Sequence, residues 1–501
     1  MTIVKVSGIL VLVLGSGCID QPQDPETSDE TAARLQGSFT VHGTGALFGH
    51  TSTGIVSKPL DLSAAPFASY SLSHGQLVRQ VGAGTADGTF TVPVEIGATS
   101  WELETNLFGI PYVAVGDALH PDLDRHTLGR LDGVLASAET DVSIDVTGLD
   151  AWADGDSTQI VVANNGGVIF SPELQFATRP ADGDAAISSQ MIDWMAQGVP
   201  LVDASQGDVA AMTQLVERTS GTEAYSGLDR YGTAPGFTQT DGSASTLSVA
   251  MSAVPQTTLA LHWRGSAFEA LLPDVGAGAS DVPGADGVFI DALPDAASFG
   301  FYTTSPDLML YTPTDSTANV DPTVVYGNPY STMGRAWDEY AIINYFFAVP
   351  VQLGSAAPYN EFVGYDANMS LAALHGGVVK PLISPVRHVQ IAGKSLGSPQ
   401  TRVGTSPTVR WDAPAIGNAT LYVVTLKRLS ADSSGTSSTI VATFVTKDRS
   451  LQIPSTYLAS GSTYILSMTA VDFGSVDRTR DLFGDGLPFE SASSITSTFT
   501  P

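Results

Sequence analysis

From about residue 408 to the end of the chain, apolar residues return at every second position in one short run after another. Val409 and Trp411 alternate, as do Tyr422, Val424 and Leu426, then Ile440, Ala442 and Phe444, then Leu466, Met468 and Ala470. A period of two puts every apolar group of a run on one side of an extended chain, because successive side chains of a strand point to opposite faces. A helix cannot gather residues at that spacing on one face. This part of the chain is therefore confined to half-buried strands, and two sheets packed face to face are the economical way to bury them.

The same signal, less regular, runs through the rest. Phe39 and Val41 alternate before Gly43, short segments follow at Tyr70–Leu72 and Leu77–Val78, and the turn pair Asp87-Gly88 opens a strand through Thr89, Phe90, Thr91, Val92 and Pro93. Val142, Ile144 and Val146 alternate, and Ile160 to Val162 follow the turn at Asp154-Gly155-Asp156, with another turn at Gly166-Gly167. Further strands are expected over 247–251, 258–263, 288–290 and 341–351. Helical spacing is local: Met191, Ile192, Trp194 and Met195 could share a helix face, and Val209, Met212, Leu215 and Val216 fit one helical stripe. No repeat of constant period emerges, which argues against a propeller or solenoid. The expected fold class is mainly all-β, a multidomain set of β-sandwiches with a few short helices in the middle domain.

Length divides the chain further, since 501 residues exceed one ordinary core. The expected units are 35–140, a small sandwich; 141–380, one large irregular β domain; and 381–501, a second sandwich. The 50 glycines and 29 prolines suit many strands joined by turns. Lys and Arg total 22 against 51 Asp and Glu, a net charge of -29 that repels phosphate backbones and excludes nucleic acid as a partner.

The one cysteine bears on location. Cys18 has no partner for a disulfide, and its surroundings account for it. A short segment ending at Lys5 is followed by the apolar run Ile9 to Leu14 and the small residues Gly15, Ser16 and Gly17. That run is too short to cross a bilayer, but it has the layout of a signal peptide, residues 1–17. Small residues directly before a single cysteine resemble the lipobox of bacterial lipoproteins, with Leu14 one position further from the cysteine than the family's usual leucine. The resemblance implies acylation of Cys18 and a membrane anchor through the N-terminal lipid. Residues 18–34, acidic and almost without apolar groups, read as a disordered tether. Ile19, where many such proteins carry an inner-membrane retention aspartate, leans the expected location to the outer membrane or cell surface.

Two further resemblances concern the sandwiches. The run GTADGTFTVPVEIGATSWELE, residues 84–104, resembles the DG-x-F-x-(V/I)-P element of transthyretin-like, carboxypeptidase-regulatory modules. At the other end Trp411, the spacing Leu458-x-x-Gly461-x-x-Tyr464 and the strand closing at Ala470 resemble a fibronectin type III module, with an acidic insertion, Asp472 to Pro488, before its last strand. That resemblance implies a tyrosine corner, a phenol bonded back to the backbone to fix a crossing between sheets.

Candidate chemistry is sparse. Gly393-Lys394-Ser395-Leu396-Gly397 fits G-x-S-x-G, the nucleophile elbow of hydrolases, but the motif needs a strand before it and a helix after it, and Ser398-Pro399-Gln400 offers no helix. The nearby His388 lies seven residues upstream on what reads as extended chain. His120, Asp122, Asp124 and His126 could hold zinc or a similar ion, yet their spacing is not a helical pair and Pro121 favours a solvated loop. Asp477, Asp481 and Asp485 could offer oxygens to calcium, without the D-x-D-x-D spacing of a calcium loop, and Asp286-Gly287 reads as an ordinary turn pair. Trp101, Trp152, Trp194, Trp263 and Trp337 could stack on sugars if exposed, but their apolar phase points to core packing. No catalytic, cofactor or metal residue is assigned. The expected function is a surface-anchored, non-enzymatic binding or scaffold lipoprotein whose partner is a protein or polysaccharide; the alternatives are an extracellular hydrolase with its site in 141–380 and a lectin-like carbohydrate-binding protein.

Overall fold

The computed structural model describes residues 39–51, 53–73, 76–95, 101–106, 109–115, 120–170, 180–294, 305–332, 337–374, 376–474 and 487–501. The leader, Cys18, the tether 18–34 and Asp477, Asp481 and Asp485 lie outside the described residues. Strands dominate what is described, and the α-helices are single turns at Trp194–Gln197, Gly265–Glu269, Leu272–Val275 and Leu371–Leu374. The chain is a multidomain all-β protein.

The C-terminal alternation folds as its period requires. Arg387–Ile391, Thr408–Asp412 and Ser450–Gln452 pair antiparallel in one sheet. Gly435–Thr446, Leu421–Asp432, Thr463–Asp472 and Phe489–Ile495 pair antiparallel in the sheet facing it. Val409 and Trp411 come inward from the first sheet and Tyr422, Val424, Leu426, Ala442, Phe444, Leu466, Met468 and Ala470 from the second, all buried. Trp411 meets Tyr422 edge-on, ring centroids 5.3 Å apart. Tyr464 is buried, and its Oη accepts a hydrogen bond of 2.8 Å from Ala459 N, pinning the corner that Gly461 turns at φ 79°. Those three strands, with the two-residue strand Lys394–Ser395 at their edge, packed against four and closed by that corner, make a β-sandwich of the immunoglobulin and fibronectin type III kind.

The first unit also buries its apolar row between sheets. Phe39–Thr44 pairs with Thr89–Val94, the strand opened by Asp87-Gly88. Facing it, Phe67–Ser73 pairs with Gln76–Val81 and with Trp101–Thr105, which pairs in turn with Tyr112–Val115. Phe90 from one side stacks on Phe67 from the other at 4.5 Å.

In the middle unit the helical stripe is not a helix. Met212, Leu215 and Val216 lie in the strand Ala210–Ser220, held between Ser157–Val162 and Glu223–Ala234. Residues 210–215 are all buried, Thr213 and Gln214 included. A strand covered on both faces shows no alternation, and two buried polar residues within it leave apolar spacings that imitate a helix. The other stripe is strand Ala186–Asp193 followed by the single turn Trp194–Gln197, which Asp193 caps at its start and Gly198 ends at φ 66°. Ile192 and Trp194 are buried while Met191 and Met195 are exposed, so no common helix face exists.

Strand pairing does not stop at the unit boundaries. Tyr365–Asn368 of strand Tyr359–Ser370 pairs with Phe489–Ala492 of the C-terminal sandwich. Tyr112–Ala114 of the first unit runs parallel to Thr443–Val445. Leu421, Val445, Val471, Phe473 and Phe489 share one core cluster with Val41, Phe67, Phe90, Val92 and Trp101. As a result 18 strands drawn from all three units form a single connected sheet.

Candidate functional site

Ser395 sits on a hairpin, not an elbow. Ala392 and Gly393, both at positive φ, make a two-residue turn between Arg387–Ile391 and Lys394–Ser395, with Gln390 opposite Ser395. Its hydroxyl is exposed, and among the described residues its oxygen accepts only the Gly397 N–H, at 3.2 Å. His388 does pair with a carboxylate, Nδ1 to Asp412 Oδ2 at 2.7 Å, as a base and its orienting acid would. That pair stands in solvent, its side chains 72 % and 61 % exposed, and makes no hydrogen bond to Ser395. Without a base to take the proton or donors to receive an oxyanion, the hydroxyl is an ordinary alcohol. A fluorophosphonate probe is therefore expected to leave Ser395 unlabelled and Ser395→Ala to behave as wild type; a covalent adduct at Ser395 would overturn this reading.

The His120–His126 row lies along a neighbouring strand. Arg125–Leu128 runs parallel to Ala46–Thr51, and the residues before it follow the same edge. Thr44 Oγ1 donates to Asp122 Oδ1 and Ala46 N to Asp124 Oδ1, each at 2.7 Å. His126 stacks on Phe48 at 4.8 Å and meets the buried His50, Nδ1 to Nε2, at 2.7 Å. Burial pushes Asp124 up to about 6. Burial, with His50 beside it, pushes His126 down to about 3. Among the described residues no three His, Cys, Asp or Glu side chains gather as a metal set. The His50–His126 contact joins residues 76 apart, which local spacing cannot reveal.

All six tryptophans are buried, none more than 6 % exposed, so none offers a platform to a sugar. Trp337 stacks on Tyr330 at 5.1 Å, and Trp263 stacks on Phe268 at 4.9 Å, which stacks in turn on Tyr345 at 4.7 Å.

Beside Trp263 the structure assembles a group the sequence did not single out. Ser280–Asp281 and Gly287–Pro294 lie end to end along the same strand, Trp337–Val351, with Asp281 opposite Phe347 and Gly287 opposite Asn344. Residues 282–286 therefore bulge out against only Tyr345 and Phe346, and the bulge folds Asp286 back beside Asp281. Phe346 N donates to Asp286 Oδ1 at 2.6 Å, and Ser316 Oγ donates to Asp281 Oδ2 at 2.8 Å. Ser316 is fixed in turn by Trp263 Nε1, which donates to its carbonyl at 2.9 Å. Asp286 and Tyr345 are wholly buried. Burial pushes the Asp286 carboxyl up to about 7 against the pull of the Phe346 amide, and the Asp281 charge adds to the rise. Burial and then Asp281 hold the Tyr345 phenol far above its usual range.

No protein-family model matches the chain, and no characterised protein matches its sequence. Solved structures similar to it include the FN1–FN3 domains of chicken CNTN1, with 8 % identity and a TM-score of 0.13 over 74 % of this chain and 99 % of that one. A streptococcal ancillary pilin shares 11 % identity at a TM-score of 0.12 over 64 % of this chain and 95 % of its own. Likenesses at those scores carry no argument about arrangement or role, so the sandwich assignment rests on the strands themselves.

Proposed function

We propose that this chain is a lipoprotein of the cell envelope, anchored through Cys18 to the outer membrane or cell surface, and that its β units bind or space a protein or polysaccharide partner without turning it over. The observation that supports a scaffold most is the connected sheet: ladders run from the first unit into the third and from the third into the middle one. Units tied by backbone hydrogen bonds and a shared core move together, unlike domains joined only by flexible linkers. The first unit serves in this reading as a transthyretin-like module next to the tether.

A glycosidase would need two carboxylates open to a sugar on either side of the scissile bond. Asp281 and Asp286 lie side by side, the second of them wholly buried, which favours the non-enzymatic reading.

Cys18→Ala tests the anchor. The variant is expected to move from the membrane pellet to the soluble fraction or medium and to lose incorporation of a labelled fatty acid, because acyl chains at about 0.8 kcal/mol per buried methylene are the proposed hold on the bilayer. A variant that stayed in the pellet through a high-salt wash would defeat the proposal.

A further inference from the structure

We infer that Asp281, Asp286 and Tyr345 form a binding site for a hard divalent cation of the calcium class, with Ser316 as a positioning residue. Three oxygens define it. Asp281 Oδ1, Asp286 Oδ2 and Tyr345 Oη are each buried, and none has a hydrogen-bond partner among the described residues. The other oxygen of each carboxylate is already engaged, Asp281 Oδ2 by Ser316 and Asp286 Oδ1 by the Phe346 amide. With those two oxygens engaged, the remaining carboxylate oxygens are left in a group whose members lie within reach of one another, Asp281 next to both the Asp286 carboxyl and the Tyr345 phenol. The phenol is an observation independent of the acids: a wholly buried side chain that lies within reach of Asp281 and whose hydroxyl makes no hydrogen bond of good geometry among the described residues.

Charge points to the valence. Two carboxylates sit together, and among the described residues no Lys, Arg or His forms an ion pair with either. A buried charge pair of one sign is tolerated when a counter-ion or a shared proton neutralises it. A dication balances both carboxylates, whereas a shared proton balances one. The donor set is all oxygen, without the imidazole or thiolate that zinc and copper favour, and carboxylate, hydroxyl and water together suit calcium. Position along the chain supports a built site, because the 282–286 bulge has the effect of bringing Asp281 and Asp286 together. Ser316 acts one step out: anchored by Trp263, it holds the Asp281 carboxylate in the orientation the ion needs.

The test uses the purified full chain and terbium as the luminescent probe, with calcium as competitor. Tyr345 and the adjacent Trp263 are placed to sensitise a bound terbium ion, so excitation of the aromatic rings should give terbium emission that calcium quenches by displacement. The melting temperature should be several degrees higher in about 1 mM calcium, the range of extracellular calcium modules, than in chelator. Asp286→Asn keeps an acceptor for the Phe346 amide, so it should fold, lose both responses, and melt in chelator no lower than wild type because one of two like charges is gone. Ser316→Ala should fold and bind about tenfold more weakly, the usual scale for losing a group that orients a ligand. The inference fails if wild type shows neither terbium emission nor a thermal shift with calcium, magnesium or manganese. It fails equally if lowering the pH stabilises the protein while cations do nothing, since the pair then shares a proton. Responses that survive in both Asp281→Asn and Asp286→Asn would put the ion elsewhere, for instance on Asp477, Asp481 and Asp485, and would also overturn it.

Discussion

Trp411→Ala is expected to destabilise the protein by about 3 to 5 kcal/mol, the range for cutting a large buried aromatic back to a methyl. The indole is 4 % exposed, reaches across the sandwich to Tyr422, and belongs to the cluster that includes Val409, Leu451, Leu466 and Met468. Its Nε1 is buried without a hydrogen-bond partner, so the side chain contributes through packing alone. Trp411→Phe therefore removes volume but no hydrogen bond, and should lose much less than the alanine variant. Denaturant unfolding followed by far-ultraviolet circular dichroism measures both, with the slope checked for constancy because a chain of several units need not unfold in one step. An alanine variant within about 1 kcal/mol of wild type would mean that Trp411 does not fill the core. The loss should also spread beyond the sandwich, since its last strand, Phe489–Ile495, is hydrogen-bonded to Tyr365–Asn368 of the middle unit.

The C-terminal sandwich was legible where its strands bury one face more deeply than the other, so that Tyr422, Val424 and Leu426 keep phase with burial, whereas Phe489–Ile495, buried on both faces, shows no such alternation. The turn chemistry agreed with the pattern, as at Gly461 before Tyr464. The strand Ala210–Ser220 was illegible for the opposite reason: both faces are covered over its first half, and buried Thr213 and Gln214 interrupt the apolar run. Gln214 is there to serve a network, donating to Asp156 Oδ2 at 3.1 Å and to Asp150 O at 3.2 Å. Joins between units left no mark either. A ladder such as Thr443–Val445 beside Tyr112–Ala114 depends on register between segments more than 300 residues apart. The same limit hid the candidate cation site. Asp286-Gly287 looks like any turn pair until the pairing of Trp337–Val351 shows that the chain must bulge there. Conversely, His120, Asp122, Asp124 and His126 are near in sequence, but Asp122 accepts from Thr44, Asp124 from the Ala46 amide, and His126 packs on Phe48.

Arg130→Met should cost about 3 to 5 kcal/mol, on the scale of leaving a desolvated charge without its partner. Arg130 follows the strand Arg125–Leu128 and crosses to the middle unit, where its Nε and Nη2 donate to Asp208 Oδ1 and Oδ2 at 3.2 and 3.1 Å. The Asp208 side chain is 0 % exposed and that of Arg130 12 %, so water can replace little of what the guanidinium supplies. The crossing is fixed on both sides: Gly129 N donates to His50 O and Arg130 N to Asn164 O, each at 2.7 Å. Methionine keeps much of the side chain's volume and removes the charge, so the loss reports the ion pair more than a cavity. Asp208→Asn in the Arg130→Met background should restore a large part of it, because the amide oxygen can still accept from Asn164 Nδ2 or Asp203 N while the buried charge is gone. The coupling between the two positions, read from the double-mutant cycle, should also change little between low and high salt, since a buried pair is screened far less than an exposed one. A loss under about 1 kcal/mol that vanished in salt would be the signature of a surface pair. It would mean that the crossing from the first to the middle unit is held by backbone hydrogen bonds such as Arg130 N to Asn164 O and not by the ion pair.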